Sequence, residues 1–357
     1  MAFDIYSTGR LIMAVEGINP ASSFLRDRYF PTGAGDTFNT EQVLVEYKDG
    51  DRRLAPFVTP YENGFPVTRT AVEMRAYTPP TVAPKRPLTI DDITKRGFGE
   101  ALFGDMSPQR REQMLVMQDL SDLDAMITRR EEAMAAETML TNACKLVELA
   151  DDKDAGVDCE VRFYSEASNP AAIAAVTTKW DAEGADILGD LKQMVLKLMQ
   201  AGLPAQDFVC SPDVADAIVN NEAVQKLLDN RRYDLGEVAP TLDAPCASTV
   251  CVLNVFGVPI NVIAYAETYA DSAGKLKPYI PSGSGVMTAP GAGRTLYGAV
   301  SQIEQSDGAF HTYPGRRVPK YVANADGNVR SLTVTSRPLM VPNNKNPWVS
   351  ATGLLTE

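Results

Sequence analysis

Hydrophobic and polar residues near the amino terminus alternate with the two-residue period of β-strands. From Glu41, the segments "EQVLVEY" and "RRLAPFV" are followed by the turn signals "KDGD" and "YENG". A third extended segment, "RTAVEMRAYTPPTVAPKRPLTID" from Arg69 to Asp91, is rich in proline, which removes backbone donors and holds the chain extended. The pattern predicts long hairpins rather than a compact sandwich. Residues 1–38, broken by proline and glycines, are predicted to form an arm.

The pattern then changes to the period of a helix. Ser107 suits the N-cap and Pro108 suits the first helical position, and neither glycine nor proline follows before about Leu149. Apolar residues recur at spacings near three and four: Met114, Met117, Leu120, Leu123, Met126 and Ile127. The pattern predicts a helix of about forty residues, roughly 60 Å long, with a methionine-rich packing face.

The remaining chain alternates less regularly between helix and strand signals. We predict a strand at "CEVRFY", a helix at "GADILGDLKQMVLKLMQ" that is stopped by Gly202 and Pro204, and a strand at "DFVC". Ser211 and Pro212 begin one or two further helices, and the strands come mostly after them. Without a regular βαβ alternation, the order indicates the α+β fold class.

The amino-acid composition argues against several classes of function. The formal net charge of -12 argues against a primary role in gripping nucleic acid, because phosphate binding needs a concentrated basic face. The five cysteines show no C-x-x-C spacing and are interpreted as reduced structural thiols of a cytosolic setting. No signal peptide or membrane span is predicted, since no apolar run approaches 18 residues.

Candidate chemistry is sparse. The only histidine, His311, has no G-x-S-x-G partner motif, and the scattered cysteines do not suit a zinc site. The acidic turn "DDKDAGVDCEVR" places Lys153 and Arg162 where a calcium loop needs ligands, and the glycine-rich segments "SGSGVM" and "GAGRTLYG" lack a phosphate-binding spacing. We therefore expect no catalytic residue, no cofactor and no metal. Paired carboxylates leave a soluble hydrolase open as an alternative.

The order of elements and several short motifs together resemble a known family. "RTAVEMRAYTPPTVAPKRPLTIDD", "SPQRREQMLVMQDLSDLDAMITRREEAMA" and "DFVCSPDVADAIVNNEAVQKLLDNRR" occur in turn, followed by "VFGVPINVIAYAETYADSAGKLKPYIPSGSGVMTA" and "TVTSRPLMVPNNKNPWVSATG". This series, over residues 40–355, resembles the major capsid protein E family of lambda-type tailed phages, which has the Hong Kong 97-type fold. Each motif is weak by itself, and their common order carries the resemblance.

The resemblance implies a fold and a set of segments. It implies an N-terminal arm over 1–38, an E-loop hairpin with flanking strands over 39–92, and a spine helix with the first part of a P domain over 93–205. The A domain would lie mainly in 206–310, and a P-domain return with the last strands in 311–357. Candidate subunit-interface residues in the E-loop are Arg69, Tyr77, Pro79, Pro80, Lys85 and Arg86.

The implied function is structural. Copies of the chain would form hexamers and pentamers of an icosahedral virion shell that encloses double-stranded DNA without sequence-specific binding. Portal and scaffold proteins would be partners, a decoration protein is left open, and assembly would occur in the host cytoplasm without a membrane. Alternatives are an encapsulin-like compartment, a phage tail or tube subunit and the carboxylate-using hydrolase.

Overall fold

The structure is a computed structural model that describes residues 11–12, 15, 23–48, 72–95, 107–148, 157–163, 176, 178–228, 236–237, 240–271, 274–305, 307–324, 327 and 329–356. Its helices are α1 Phe24–Tyr29, α2 Ile90–Thr94, α3 Pro108–Thr141, α4 Ile187–Ala201, α5 Pro212–Asn220 and α6 Glu222–Leu228.

Twenty strands accompany these helices. The first ten are β1 Val43–Lys48, β2 Val72–Tyr77, β3 Lys85–Leu88, β4 Ala143–Glu148, β5 Val157–Arg162, β6 Asp207–Cys210, β7 Gly236–Glu237, β8 Thr241–Ala244, β9 Ala247–Val255 and β10 Val258–Tyr265. The others are β11 Thr268–Ala270, β12 Leu276–Pro278, β13 Gly285–Thr288, β14 Gly293–Tyr297, β15 Val300–Ile303, β16 Phe310–Tyr313, β17 Val318–Asn324, β18 Val329–Thr335, β19 Pro338–Pro342 and β20 Val349–Ala351. The mixture of helices and sheets confirms the predicted fold class.

A seven-stranded sheet forms the centre of one half of the molecule. Its strand order is β20-β13-β6-β10-β9-β7, with β8 also paired to β9, and β6 and β10 run parallel. Alternate residues of each strand face opposite sides, so that Phe208 and Val262 pack with α4 and α5 while Val209 and Ile263 pack with α1 and the end of α3. The sheet is therefore a middle layer between two sets of helices.

The long helix α3 connects this sheet to a second one. Its first half packs through Leu120, Leu123 and Ile127 against the three-stranded sheet β17-β18-β3, and its second half enters the core beside the large sheet. Ser107 accepts a hydrogen bond from the Arg110 backbone, as expected of the predicted N-cap. The helix thus spans two separate cores.

Two expectations about this helix are wrong. It ends at Thr141, because Asn142 adopts a left-handed conformation (φ 54°) and residues 143–148 continue as strand β4. Its 34 residues extend about 51 Å at 1.5 Å per residue, less than the predicted 60 Å. The predicted apolar face is only partly correct. Leu120, Leu123 and Ile127 are buried, but Met114, Met117 and Met126 are each about half exposed, and the buried methionines of the helix are Met134 and Met139.

The predicted hairpin is confirmed in its described part. β1 pairs antiparallel with β2, from Val43 opposite Tyr77 to Lys48 opposite Val72. The signals "RRLAPFV" and "YENG" between these strands lie outside the described residues. The prediction that Gly202 stops a helix is also confirmed, since Gly202 caps α4 with φ 74°.

A glycine allows one close contact in the core. A Cβ atom at Gly293 would lie 2.5 Å from the Phe30 ring and 2.9 Å from the Val341 carbonyl oxygen. We expect Gly293→Ala to lower the free energy of unfolding by about 1–3 kcal/mol, because the ring and strand β19 must both move. Urea unfolding measures the change. Gly35→Ala is the matched control, since nothing lies within 4 Å of its Cβ position; equal stability of both variants would contradict the prediction.

Candidate functional site

The paired strands β1 and β2 form a stem with one buried and one exposed face. Val43 and Val45 are buried with Phe163 in a small core. On the opposite face, Leu44 is 51% exposed and Met74 is 58% exposed. A two-stranded stem with an apolar exposed face is suited to contact another surface.

The predicted site residues occupy different environments. Arg69 lies outside the described residues. Tyr77 donates a hydrogen bond from its hydroxyl to the Phe163 carbonyl oxygen (3.2 Å). Pro79 is buried near Gly298, and Pro80 is half-buried.

Lys85 and Arg86 begin strand β3, which pairs with β18 of the same chain. Lys85 is exposed, whereas the Arg86 guanidinium lies 2.7 Å from the Asp119 carboxylate and 2.8 Å from that of Asp122, both on α3. The hydrogen bonds that Arg86 donates to these two carboxylates raise its pKa. The pair therefore helps to hold β3 on its own helix, and docking of Lys85 and Arg86 on a neighbour stays a prediction.

The Arg86 ion pairs should contribute little to stability. The Arg86 side chain is 40% exposed and that of Asp122 is 48% exposed, so water screens the attraction. We expect Arg86→Ala to lower the free energy of unfolding by no more than about 1 kcal/mol, and Lys85→Ala to leave it unchanged. Thermal or urea unfolding of the two variants provides the measurement. A loss of several kcal/mol for Arg86→Ala would contradict this assessment.

A buried ion-pair cluster lies where α3 meets the carboxy-terminal part of the chain. The Glu131 carboxylate is fully buried and lies 2.7 Å from Arg26 Nη1 and 2.7 Å from Arg317 Nη1. Arg317 also contacts Asp124 at 2.6 Å through Nε. Burial alone would raise the pKa of Glu131, but the charges and hydrogen bonds of Arg317 and Arg26 lower it. Two carboxylates and two guanidinium groups thus balance in charge.

The neighbouring residue Glu132 stabilises the short helix α1. Its Oε1 and Oε2 accept hydrogen bonds from the backbone N–H groups of Leu25 (2.7 Å) and Arg26 (3.0 Å). These N–H groups have no partner within a helix, and a negative charge at this end is favoured by the helix dipole. Tyr265 also donates its hydroxyl to Glu132 at 2.7 Å. The described part of the predicted arm is therefore docked on α3.

A third buried carboxylate in contact with α1 joins this helix to the large sheet. Asp207 lies 2.7 Å from Arg28 Nε and accepts hydrogen bonds from Tyr29 and Asn261. The hydrogen bond with Asp207 raises the pKa of Arg28. Together, the three carboxylates tie the arm, the long helix and the sheet into one body.

These carboxylates were missed by the sequence interpretation. Glu131 follows Leu120, Leu123 and Ile127 at helical spacing, which places a charge on the buried stripe of α3. A charged residue on such a stripe is almost never fully buried without a partner. That spacing was a usable signal for Glu131, but it does not identify Arg26 or Arg317 as its partners.

The environments of Cys144, Cys251 and His311 are those of structural residues. Burial raises the pKa of Cys144 to about 12 and that of Cys251 to about 11, which keeps both thiols protonated and unreactive. His311 Nε2 lies 2.8 Å from the exposed Asp307 carboxylate. Among the described residues, no group of three or more His, Cys, Asp or Glu side chains is arranged to hold a metal ion. No helix in that part of the chain is long and apolar enough to cross a membrane.

Comparison with known families identifies the class of protein that this geometry belongs to. The model of the phage major capsid protein E family matches residues 7–353. The chain therefore belongs to the phage major capsid protein E family, as the order of its motifs indicated. A comparison with curated proteins finds no match.

Solved structures show the same fold. A protein assigned as the capsid protein of an Escherichia coli CFT073 prophage matches with a TM-score of 0.66 at 17% identity, over 97% of this chain and 98% of that one. A phage-related protein of Bordetella bronchiseptica RB50 matches with a TM-score of 0.51 at 10% identity, over 96% of each chain. The mature capsid of bacteriophage PhiM1 matches with a TM-score of 0.50 at 10% identity, over 94% and 88%. These likenesses show that the fold is of the Hong Kong 97 type.

Proposed function

We propose that copies of this chain form hexamers and pentamers that close into an icosahedral shell around double-stranded DNA. The observation that carries the proposal is the match of one capsid family over residues 7–353. The stem of β1 and β2, with its exposed apolar face, supplies a contact between copies, and the buried ion pairs give each copy a rigid body from which the stem extends. The shell needs no catalytic residue, and the protein acts as a structural component.

The proposal extends to organisation and partners. Residues 1–38 form the arm, 39–92 the E-loop, 93–205 the spine and the first part of the P domain, 206–310 mainly the A domain, and 311–357 the P-domain return. Assembly takes place in the host cytoplasm, with portal and scaffold proteins as partners. The net charge of -12 supports enclosure of DNA without sequence-specific binding, because a strongly acidic chain has little affinity for phosphate.

Electron microscopy of the expressed chain, alone and together with the other head proteins of its phage, tests the proposal. Hollow polyhedral particles are expected. Open tubes would instead support a tail or tube subunit, and a stable monomer under every condition would contradict the proposal. Particles that enclose an enzyme in their native host would support an encapsulin-like compartment.

A further inference from the structure

The exposed side of the stem combines apolar residues with one charge. Leu44, Glu46, Met74 and Ala76, which we call the stem face, form the cross-strand pairs Leu44–Ala76 and Glu46–Met74. All four are exposed, and no ion pair of Glu46 is found in the described part of the chain. Leu44 and Met74 are diagonal neighbours, close enough to form one apolar patch.

The stem face is directed away from the body of its own chain. Val43 and Val45, on the opposite face of β1, are buried against Phe163 and strands β14 and β19. Because successive residues of a strand point to opposite sides, the stem face turns inward only if the strand slips by one residue and exposes both valines. Among the described residues, no other segment of the chain covers the stem face, which leaves it available to another molecule.

A second exposed apolar pair lies on the hairpin of β15 and β16. Ile303 is opposite Phe310, and these side chains are 43% and 79% exposed. Together with Lys320, they line a groove of about 420 Å³, which we call the hairpin groove. The ion pair of Arg337 with Glu41 (2.8 Å) also lines it, whereas no ion pair of Lys320 is found within the described residues.

The two surfaces are complementary. Each is a two-stranded antiparallel ribbon with an apolar patch, and beside each patch lies a charge that has no ion pair among the described residues: negative Glu46 on the stem face and positive Lys320 in the hairpin groove. Apolar contact supplies affinity, and an opposite charge beside it sets orientation. The surfaces differ, so a contact between them is heterologous, and such a contact generates a ring of copies when its rotation closes.

We propose that the hairpin groove of one copy binds the stem face of a neighbouring copy, with Leu44 and Met74 against Ile303 and Phe310, and with Glu46 against Lys320. The inference rests on the proposed function, because only a chain that assembles with itself brings these surfaces together. The inference adds the identity of the receiving residues, which are Ile303, Phe310 and Lys320 of the neighbouring copy.

Charge reversal tests the pairing in the full-length chain. We expect Glu46→Lys and Lys320→Glu each to raise the subunit concentration needed for shell formation by about tenfold, because each places like charges together. The double variant, with the charges exchanged, should restore assembly. The matched controls are Glu183→Lys and Lys275→Glu, which make the same charge changes at exposed positions on other elements. Light scattering measures assembly, and urea unfolding verifies that each subunit is folded.

The outcomes separate this inference from the proposed function. If the unmodified chain forms no shells, the proposed function fails, and with it the basis for the contact. If the unmodified chain forms shells and Lys320→Glu does so at the same concentration, the hairpin groove is not the receiving surface. If both single variants fail and the double variant does not recover, the pairing of Glu46 with Lys320 is wrong.

Disulfide trapping gives an independent measurement. Met74→Cys combined with Phe310→Cys in one chain should produce covalent oligomers after mild oxidation of shells, visible on a non-reducing gel. The single-cysteine variants control for the native thiols, of which Cys144, Cys210 and Cys251 are buried. Oligomers no more abundant than in the single variants would overturn the contact.

Discussion

Glu131→Gln is expected to lower the free energy of unfolding by about 3–5 kcal/mol, the usual loss when one partner of a buried ion pair is removed. Glu131 is completely buried between Arg26 and Arg317, and it also accepts a hydrogen bond from Tyr297 at 3.1 Å. A neutral amide leaves the two guanidinium groups without part of their compensation. Urea unfolding measures the loss, and we expect the variant to accumulate poorly as folded subunit.

The control for this prediction is Asp122→Asn. Asp122 also loses a charge paired with an arginine, but it is 48% exposed, so we expect a loss of less than about 1 kcal/mol. Similar losses for the two variants would show that burial of Glu131 does not determine its contribution.

The stability lost in the Glu131→Gln variant should depend on pH, and the loss should be smaller in acid. Because Arg317 and Arg26 lower the folded-state pKa of Glu131 below its ordinary value of 4.5, the ionised carboxylate stabilises the fold above that pH. This contribution is lost as the pH falls through the folded-state pKa. The difference in unfolding free energy between the parent chain and Glu131→Gln should therefore shrink below about pH 4.5. A difference that stays constant down to acid unfolding would contradict this interpretation.

Removal of the apolar groups from the stem face should strongly reduce assembly without unfolding the subunit. We expect Leu44→Gln combined with Met74→Gln to reduce the yield of shells at least about tenfold, since each buried side chain of this type contributes about 1.5–3 kcal/mol to a contact. Both residues are about half exposed in the single chain, so its urea midpoint should hardly change. Sedimentation and electron microscopy measure the yield.

Met199→Gln on α4 is the matched control, because Met199 is 46% exposed and lies outside the stem. Unchanged shell formation by the stem variant would show that the stem face makes no essential contact. Substitution is a sharper test than deletion of residues 70–86. That deletion would remove strand β2 and half of β3, both of which pair within the same chain.

The predictions for Glu131 and for the stem face concern two parts of the subunit with different roles. Glu131, Glu132 and Asp207 hold the arm, the long helix and the large sheet together through buried or partly buried interactions, which are screened much less than surface ion pairs. The stem has only one buried face and leaves the other available. A rigid body with a projecting apolar hairpin suits a subunit that must make the same contact many times in a closed shell.

Local sequence signals were sufficient to predict several helix boundaries. Pro108 after Ser107 identified the start of the long helix, and Gly202 identified the end of α4, because these residues act within one turn of the chain. The end of the long helix was predicted too late. Asn142 stops it with a left-handed backbone and accepts a hydrogen bond from the indole of Trp348, which lies more than 200 residues away in the sequence. No local pattern contains that contact.

The sequence by itself determined the fold class, the stem of the hairpin, several helix boundaries and the family, because periodicity, caps and motif order are properties of neighbouring residues. Only the tertiary structure decided which charges are buried and with which partners. Glu131 meets Arg26 and Arg317 across 105 and 186 positions of the chain. It likewise decided that Arg86 pairs with its own helix and that Met114, Met117 and Met126 of α3 remain exposed. The physical reason is that burial and ion pairing depend on distant segments meeting in space.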